Sequence, residues 1–238
     1  MSRTIAIFGA GSGLGTAVAR RFGREGYTVA LVARRREPLD ALASALAEEG
    51  IDAAPFTADL SDPAAVPALI DGITGRFGRI DVVEYAPIGA SAPFVPAAEL
   101  TADALRAIVD LYLYTPVEIT RAVLPQMIER GDGGILLGQG LSAVLAAPGM
   151  SGVGPVMAAA RNWIHSLNAE LAGKGVYAGT VTVAAWVEGS LGHRLASQAD
   201  PSLGGNPTVD PAELAEQYWD LLTRRDRAEQ IFPPVHLP

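Results

Sequence analysis

The sequence contains no cysteine, which excludes disulfide bonds, thiolate nucleophiles and cysteine metal ligands. Its apolar runs are strand-sized or broken by glycine, proline and charge, and none approaches the roughly 20 residues that a membrane-spanning helix needs. The residues before the first apolar run show no signal-peptide pattern. We therefore expect a cytoplasmic protein with no membrane partner.

Lysine is almost absent, because Lys174 is the only one and every other basic residue is arginine. Acidic residues outnumber basic ones by 26 to 18, for a net charge of −8. The basic residues are scattered apart from two short arginine runs, which argues against a nucleic-acid surface. No group of side chains has metal-ligand spacing. A small molecule is the expected ligand.

Short apolar segments alternate with helical patterns along the 238 residues. The predicted strands are Thr4–Phe8, Tyr27–Ala33, Ala53–Thr57, Ile80–Tyr85, Gly134–Leu137 and Val176–Val183. The main predicted helices after the fourth strand are Ala98–Arg130, Ser151–Ala172 and Asp210–Arg224. This alternation predicts an α/β fold, with a doubly wound parallel sheet between two helical layers in one domain, 1–238. A loop at 188–209, rich in glycine, serine and proline, is the predicted lid.

A glycine-rich segment separates the first strand from the first helix. Glycine lets the backbone turn tightly and approach a pyrophosphate, whose charge is attracted by free N–H groups at the helix N-terminus. The preceding strand and the following helix distinguish the segment from a flexible turn. It therefore predicts a Rossmann-type dinucleotide site whose pyrophosphate contacts are Gly9, Ser12, Gly13, Leu14 and Gly15.

Three arginines follow the second strand, where an NAD site usually has an acidic residue. A carboxylate there would repel a 2′-phosphate, whereas a guanidinium can bind it with two hydrogen bonds. Arginines at the start of a helix also oppose the helix dipole, which favours a ligand-binding role. We therefore predict NADP(H) in preference to NAD(H), with Arg34 and Arg35 as contacts.

The spacing Gly9-x-x-x-Gly13-x-Gly15, with Asp59-Leu60 after the third strand, resembles the short-chain dehydrogenase/reductase family. The resemblance covers nearly the whole chain. It implies that Asp59 hydrogen-bonds the adenine, that Leu60 packs beside it, and that Pro87 contacts the cofactor from the turn after the fourth strand. It also implies a homodimer or homotetramer assembled through the two long helices.

The family's catalytic residues are missing from the positions where the resemblance places them. With Ser166–Leu171 as the anchor, the tyrosine and lysine positions fall on Val153 and Met157, the serine on Gly140 and the asparagine on Tyr112. No tyrosine in the chain has a lysine four residues later. A phenol, with a pKa near 10, needs such an ammonium to exchange a proton near neutral pH. We therefore expect an atypical member, or a pseudoenzyme.

Val153 and Met157, at the missing tyrosine and lysine positions, belong to one apolar helix face. This face predicts an apolar wall beside the nicotinamide. Its members recur at helical spacing: Val153, Met157, Ala160, Ile164, Leu167 and Leu171.

Pro116 removes the helical hydrogen bond to the carbonyl of Tyr112 and predicts a kink there. We hypothesise that Tyr112 points into the cleft as a substitute hydrogen-bonding group; the alternative is a half-buried tyrosine between helices. Other polar candidates are Glu84, Ser142, Glu188 and His193.

Three functions remain open at this point. The first is an atypical NADP(H)-dependent oxidoreductase acting on a small apolar substrate, with the proton supplied by a non-family residue, by water or by the substrate. The second is a non-catalytic dinucleotide-binding sensor or partner subunit. The third is a lyase or cyclase that uses the cleft without hydride transfer. The sequence assigns no catalytic residue in any of them.

Overall fold

A seven-stranded parallel sheet forms the centre of the protein in a computed structural model that describes residues 2–89, 95–190, 192–194 and 207–235. Its strands are β1 (Thr4–Phe8), β2 (Thr28–Ala33), β3 (Ala53–Thr57), β4 (Val82–Tyr85), β5 (Gly133–Gly140), β6 (Val176–Val183) and β9 (Glu229–Phe232). They are arranged in the order β3-β2-β1-β4-β5-β6-β9. A separate ladder pairs β7 (Trp186–Val187) with β8 (Thr208–Val209).

Two helical layers cover the sheet, because strands buried on both faces need apolar partners on each side. The helices are α1 (Leu14–Arg24), α2 (Arg36–Glu48), α3 (Val66–Phe77), α4 (Ala102–Val109), α5 (Thr115–Arg130), α6 (Val153–Glu170) and α7 (Pro211–Arg224). One apolar core lies between the sheet and α1, α2 and α7, and the other lies between the sheet and α3 to α6. The predicted three-layer α/β fold is confirmed.

The predicted strands match the observed ones to within three residues, but β9 was not predicted. This strand carries glutamate and glutamine and has little apolar patterning of its own. It pairs with β6 through backbone hydrogen bonds, and its Glu229 carboxylate accepts from Arg161 Nε of α6 at 2.9 Å and from the Thr182 hydroxyl at 2.7 Å. Long-range pairing, rather than local sequence, makes this segment a strand.

The long helix predicted over Ala98–Arg130 is interrupted where Pro116 indicated a kink. A π-helical turn, Asp110–Tyr114, separates α4 from α5, and Pro116 lies in the first turn of α5. Proline has no N–H to donate and is tolerated at that position. The widened turn frees the Leu111 carbonyl, which accepts a hydrogen bond from the hydroxyl of Tyr85.

The β7–β8 ladder joins the two ends of the predicted lid. Trp186 pairs with Thr208, and Val187 pairs with Val209. Most of the predicted 188–209 loop, including 191 and 195–206, lies outside the described residues. Among the helices of the described ranges, none is both long enough and apolar enough to cross a membrane.

Glu84 is buried inside the sheet rather than exposed at the ligand edge. Side chains alternate along a strand, so Glu84 shares the face of Val82, towards α1 and α7. Only 1% of the residue is exposed, and its Oε1 atom has no hydrogen-bond partner in the described part of the chain. Burial raises the pKa of this carboxyl from 4.5 to about 8, so it is mostly protonated at neutral pH.

We predict that Glu84 makes the folded protein less stable as the pH rises. Between about pH 4.5 and 8 the unfolded chain releases the Glu84 proton while the folded protein retains it. The free energy of unfolding therefore falls by up to about 1.4 kcal/mol per pH unit. Glu84→Gln removes this slope in urea titrations at pH 5 to 8, whereas the exposed control Glu48→Gln does not. Parallel pH profiles for wild type and Glu84→Gln would contradict the assignment.

Candidate functional site

The carboxyl ends of β1 and β4 flank the point where the sheet reverses its winding. From β1 the chain moves outward to β2 and β3, and it then returns to β4 on the other side before continuing to β5 and β6. The connections that leave β1 and β4 therefore diverge and open a crevice between them, which is where doubly wound sheets bind ligands. The glycine-rich loop and Pro87 both lie at this crevice.

Two glycines of the loop occupy places where a side chain does not fit. Gly9 has a φ of +106°, and a Cβ built on it would lie 2.8 Å from both N and Cα of Pro87. A Cβ on Gly15 would lie 2.8 Å from the Cα of Ala10. The first glycine thus lets the loop touch the end of β4, and the second lets α1 start close against the loop.

The loop leaves several backbone N–H groups free at the start of α1. Gly11 and Gly13 donate to carbonyls within the loop, while the N–H groups of Ser12, Leu14 and Gly15 have no acceptor among the described residues. The first turn of α1 carries no acidic residue. Free amides and the positive end of the helix dipole together make this turn suitable for a phosphate group.

The three arginines after β2 separate into two kinds. Arg36 pairs with Asp40 one turn later, at 2.8 Å. Arg34 and Arg35 are exposed, and within the described ranges neither forms a hydrogen bond or ion pair. Two guanidinium groups are thus available to a ligand at the carboxyl end of β2.

Asp59 and Leu60 follow β3 at the same edge of the sheet. Asp59 is exposed, and one of its carboxylate oxygens accepts from the N–H of Ser61 at 2.9 Å. Leu60 is only 6% exposed and packs in the core, while its carbonyl accepts from the Thr115 hydroxyl at 2.8 Å. Asp59 is therefore open to a ligand, whereas the Leu60 side chain offers little surface to one.

The positions predicted for the family's serine, tyrosine and lysine are neighbours in space. A Cβ built on Gly140 would lie 3.9 Å from Met157 Sδ and 3.9 Å from Ser142 Oγ. Val153, one helical turn before Met157, is 5% exposed. The start of α6 therefore carries no ionisable side chain at these two positions, and the apolar wall beside the nicotinamide remains a prediction.

Tyr112 lies at the same end of the sheet, in the π turn. Its hydroxyl accepts a hydrogen bond from the N–H of Gly89 at 3.1 Å, and the residue is 7% exposed. Burial raises the pKa of the Tyr112 phenol, only partly opposed by the Gly89 contact, so it remains protonated at neutral pH. It lines a cavity with Pro87 and Met157. The predicted cleft-facing position of Tyr112 is consistent with this geometry.

Two other polar candidates, Glu188 and His193, contact residues of the β7–β8 ladder. Glu188 accepts a hydrogen bond from the Thr208 hydroxyl at 2.9 Å. The ring of His193 stacks on Trp186, with 6.4 Å between the ring centroids. Both residues therefore help to organise the base of the predicted lid.

A sequence profile described as short chain dehydrogenase matches residues 3–192. That span covers the sheet from β1 to β6, the glycine loop and the apolar cleft wall. The chain belongs to this family. The matched span includes the crevice at the winding reversal, where doubly wound sheets bind ligands.

Curated relatives of the chain are named for different reactions. It is 36% identical over 135 residues to a fatty acyl-CoA reductase of Mycobacterium tuberculosis, covering 56% of this chain but 46% of the relative. It thus spans about half the length of that relative. A 2-dehydro-3-deoxy-L-rhamnonate dehydrogenase (NAD(+)) of Sphingomonas is 34% identical over 199 residues, covering 83% of this chain and 78% of the relative.

Solved structures share the same fold over nearly the whole chain. A short-chain dehydrogenase from Sphingobium yanoikuyae in complex with NADPH is 28% identical, with a TM-score of 0.83, and covers 99% of this chain and 89% of its own. One from Streptomyces avermitilis is 25% identical, with a TM-score of 0.82 and coverage of 97% and 87%. These similarities support the architecture independently of the glycine loop.

Gln139 is a cleft residue that sequence reasoning missed. It lies in β5 beyond the predicted strand end at Leu137, is 5% exposed, and lines the same cavity as Tyr112. Its amide donates to Thr180 Oγ1, 41 residues away, at 3.0 Å. The only local signal was a glutamine between two glycines, which carries no periodic pattern.

We predict that Gly9→Ala destabilises the protein and abolishes dinucleotide binding. Gly26 provides a matched control, because it also has a positive φ (+84°) but no atom within 4 Å of a built Cβ. Gly26→Ala should cost about 1–2 kcal/mol from backbone strain alone. Gly9→Ala adds overlap with Pro87 and should cost more, measured by urea unfolding alongside NADPH titration. Equal losses for the two variants would show that the Pro87 contact is unimportant.

Proposed function

We propose that this short-chain dehydrogenase is an atypical NADP(H)-binding oxidoreductase that acts on a small, largely apolar substrate. The proposal is carried by two features at the carboxyl edge of the sheet: free amides at the start of α1, and two guanidinium groups at the end of β2 that have no partner among the described residues. A pyrophosphate suits the amides, and a 2′-phosphate suits Arg34 and Arg35. When bound, NADPH supplies a hydride, and the chain's own residues hold and orient the two reactants.

The preference for NADP(H) rests on charge. The described residues at the end of β2 include two exposed cations, whereas an NAD site would use a carboxylate towards the ribose hydroxyls. The relative bound to NADPH supports this assignment. The Sphingomonas relative, named for NAD(+), shows that the family accommodates both coenzymes, so the arginines must be tested directly.

The atypical character rests on the cleft wall. Val153, Met157 and Gly140 occupy the places of the family's acid–base residues, and the contact between Gly140 and Met157 supports that register. An apolar wall favours uncharged substrates, because a charged group would lose its hydration there. Protonation of the product then comes from water, from a residue outside the family's set or from the substrate itself.

A non-catalytic dinucleotide sensor is the second candidate. It is favoured by the same apolar replacements, since Val153 and Met157 provide no group that exchanges a proton. The glycine loop is intact in both cases, so the two functions differ in turnover and not in cofactor binding.

One experiment separates these functions. The purified protein is titrated with NADPH and NADH by nucleotide fluorescence and then incubated with a panel of small ketones, aldehydes and cyclic imines while NADPH oxidation is followed. Oxidation with at least one apolar substrate supports the oxidoreductase. Tight binding of NADPH without oxidation favours the sensor, and no binding of either nucleotide would refute both.

We predict that the Arg34→Ala/Arg35→Ala variant binds NADPH roughly 10- to 100-fold more weakly, because it loses charge-assisted hydrogen bonds to the 2′-phosphate. Its affinity for NADH should stay within about twofold, since NADH lacks that phosphate. Arg36→Ala is the matched control, because Arg36 already pairs with Asp40. If the double variant weakens NADPH and NADH equally, the two arginines do not select the coenzyme.

A further inference from the structure

A small cavity lies behind the cleft wall, at the carboxyl ends of β4 and β5. The space open to the centre of a water molecule is about 10 Å³, which suits a single water. Its lining includes apolar groups from Pro87, Met157 and Ala160 and three neutral polar side chains, Tyr85, Tyr112 and Gln139. The Tyr85 hydroxyl already donates to the Leu111 carbonyl, so the other two supply the cavity's available polar groups.

The orientation of the Gln139 amide is fixed by its neighbours. The Thr180 hydroxyl donates to the Leu137 carbonyl at 2.9 Å, so its proton is already used. Thr180 Oγ1 therefore accepts from Gln139, and it is the Nε2 side of the amide that faces it, at 3.0 Å. Gln139 Oε1 then faces away from Thr180. This oxygen is buried and has no hydrogen-bond partner within the described ranges.

Tyr112 offers the complementary group. Its oxygen accepts from the Gly89 N–H, but its own O–H donates to no residue that the structure describes. The cavity is therefore lined by one residue with an unused donor and one with an unused acceptor. Buried polar groups left in this state are costly, and a water molecule that satisfies both removes the cost.

We propose that Tyr112 and Gln139 hold one ordered water molecule in this cavity and that this water is the hydrogen-bond donor of the otherwise apolar cleft. The water accepts from the Tyr112 O–H and donates one hydrogen to Gln139 Oε1. Its second hydrogen is left for a ligand on the side of Pro87 and Met157. Gln139 is thus a specificity-determining residue, and the favoured ligand has an uncharged acceptor oxygen on an apolar body.

This inference deepens the proposed function and rests on it for the location of the ligand. The water itself does not depend on cofactor binding. It can therefore be sought in crystals of the protein grown both with and without NADPH, at a resolution of about 1.5 Å. A water within about 3.2 Å of the Tyr112 hydroxyl and Gln139 Oε1 in both crystals is the expected result. An empty cavity, or Met157 folded into it, would overturn the site.

The role in recognition is tested with two probes of similar shape, cyclohexanone and methylenecyclohexane, which differ in having C=O or C=CH₂. Chemical-shift titrations of the NADP⁺-loaded protein, which cannot reduce the ketone, should show about fivefold to tenfold tighter binding of cyclohexanone. Tyr112→Phe and Gln139→Met should reduce that preference to less than twofold. Tyr114→Phe is the matched control, because it removes a hydroxyl from the same π turn but at a side chain that is 51% exposed.

The outcomes distinguish this inference from the proposed function. Equal affinity of the two probes, or no binding of cyclohexanone, would overturn the role of the water in recognition even where NADPH binds. A bridging water in a protein that fails to bind NADPH would instead refute the proposed function and leave the water site standing. Loss of the preference in Tyr114→Phe would show that the effect does not come from the cavity.

Discussion

The absence of a side chain at Gly9 lets the loop after β1 come close to Pro87, in the turn after β4, at the reversal of the sheet. A side chain at position 9 would overlap the backbone of Pro87, so the approach depends on glycine and on its positive φ. The rest of the site follows from that approach. It places the free amides of the loop beside the turn after β4, at the crevice where doubly wound sheets bind ligands.

The alternation of side chains along β4 and β5 then decides which polar groups meet that crevice. Tyr85 faces α5 and α6, and its hydroxyl donates a hydrogen bond to the Leu111 carbonyl of the π turn. Its neighbour Glu84 faces the opposite helical layer. Gln139, in turn, lies on the face of Tyr85 and Tyr112, where the cavity is. Glu84 lies near the carboxyl edge of the sheet, as the sequence indicates, but its side chain is on the face opposite the cavity. Burial there keeps the carboxyl protonated.

The sequence predicted those features that depend on local chemistry. Apolar runs located the strands, the glycines located the loop between β1 and α1, and Pro116 located the interruption before α5. It missed β9 and Gln139 because both depend on distant partners: β9 on pairing with β6, and Gln139 on a threonine in the neighbouring strand. The division of the arginines was also hidden, since only the helix geometry shows that Arg36 is used by Asp40.

In the proposed register, Val153 and Met157 stand where the family has ionisable residues, and that difference would affect which ligands the cleft recognises as well as what it can catalyse. A lysine at position 157 would bring a positive charge to the end of β5, while the methionine found there brings a polarisable, uncharged group beside Gly140. The polar side chains of the cavity are the phenols of Tyr85 and Tyr112, whose pKa values are raised by burial, and the amide of Gln139, and all three are neutral at physiological pH. Such a wall provides hydrogen bonds without a counter-ion, and it therefore discriminates between ligands by the presence of an acceptor oxygen rather than by charge.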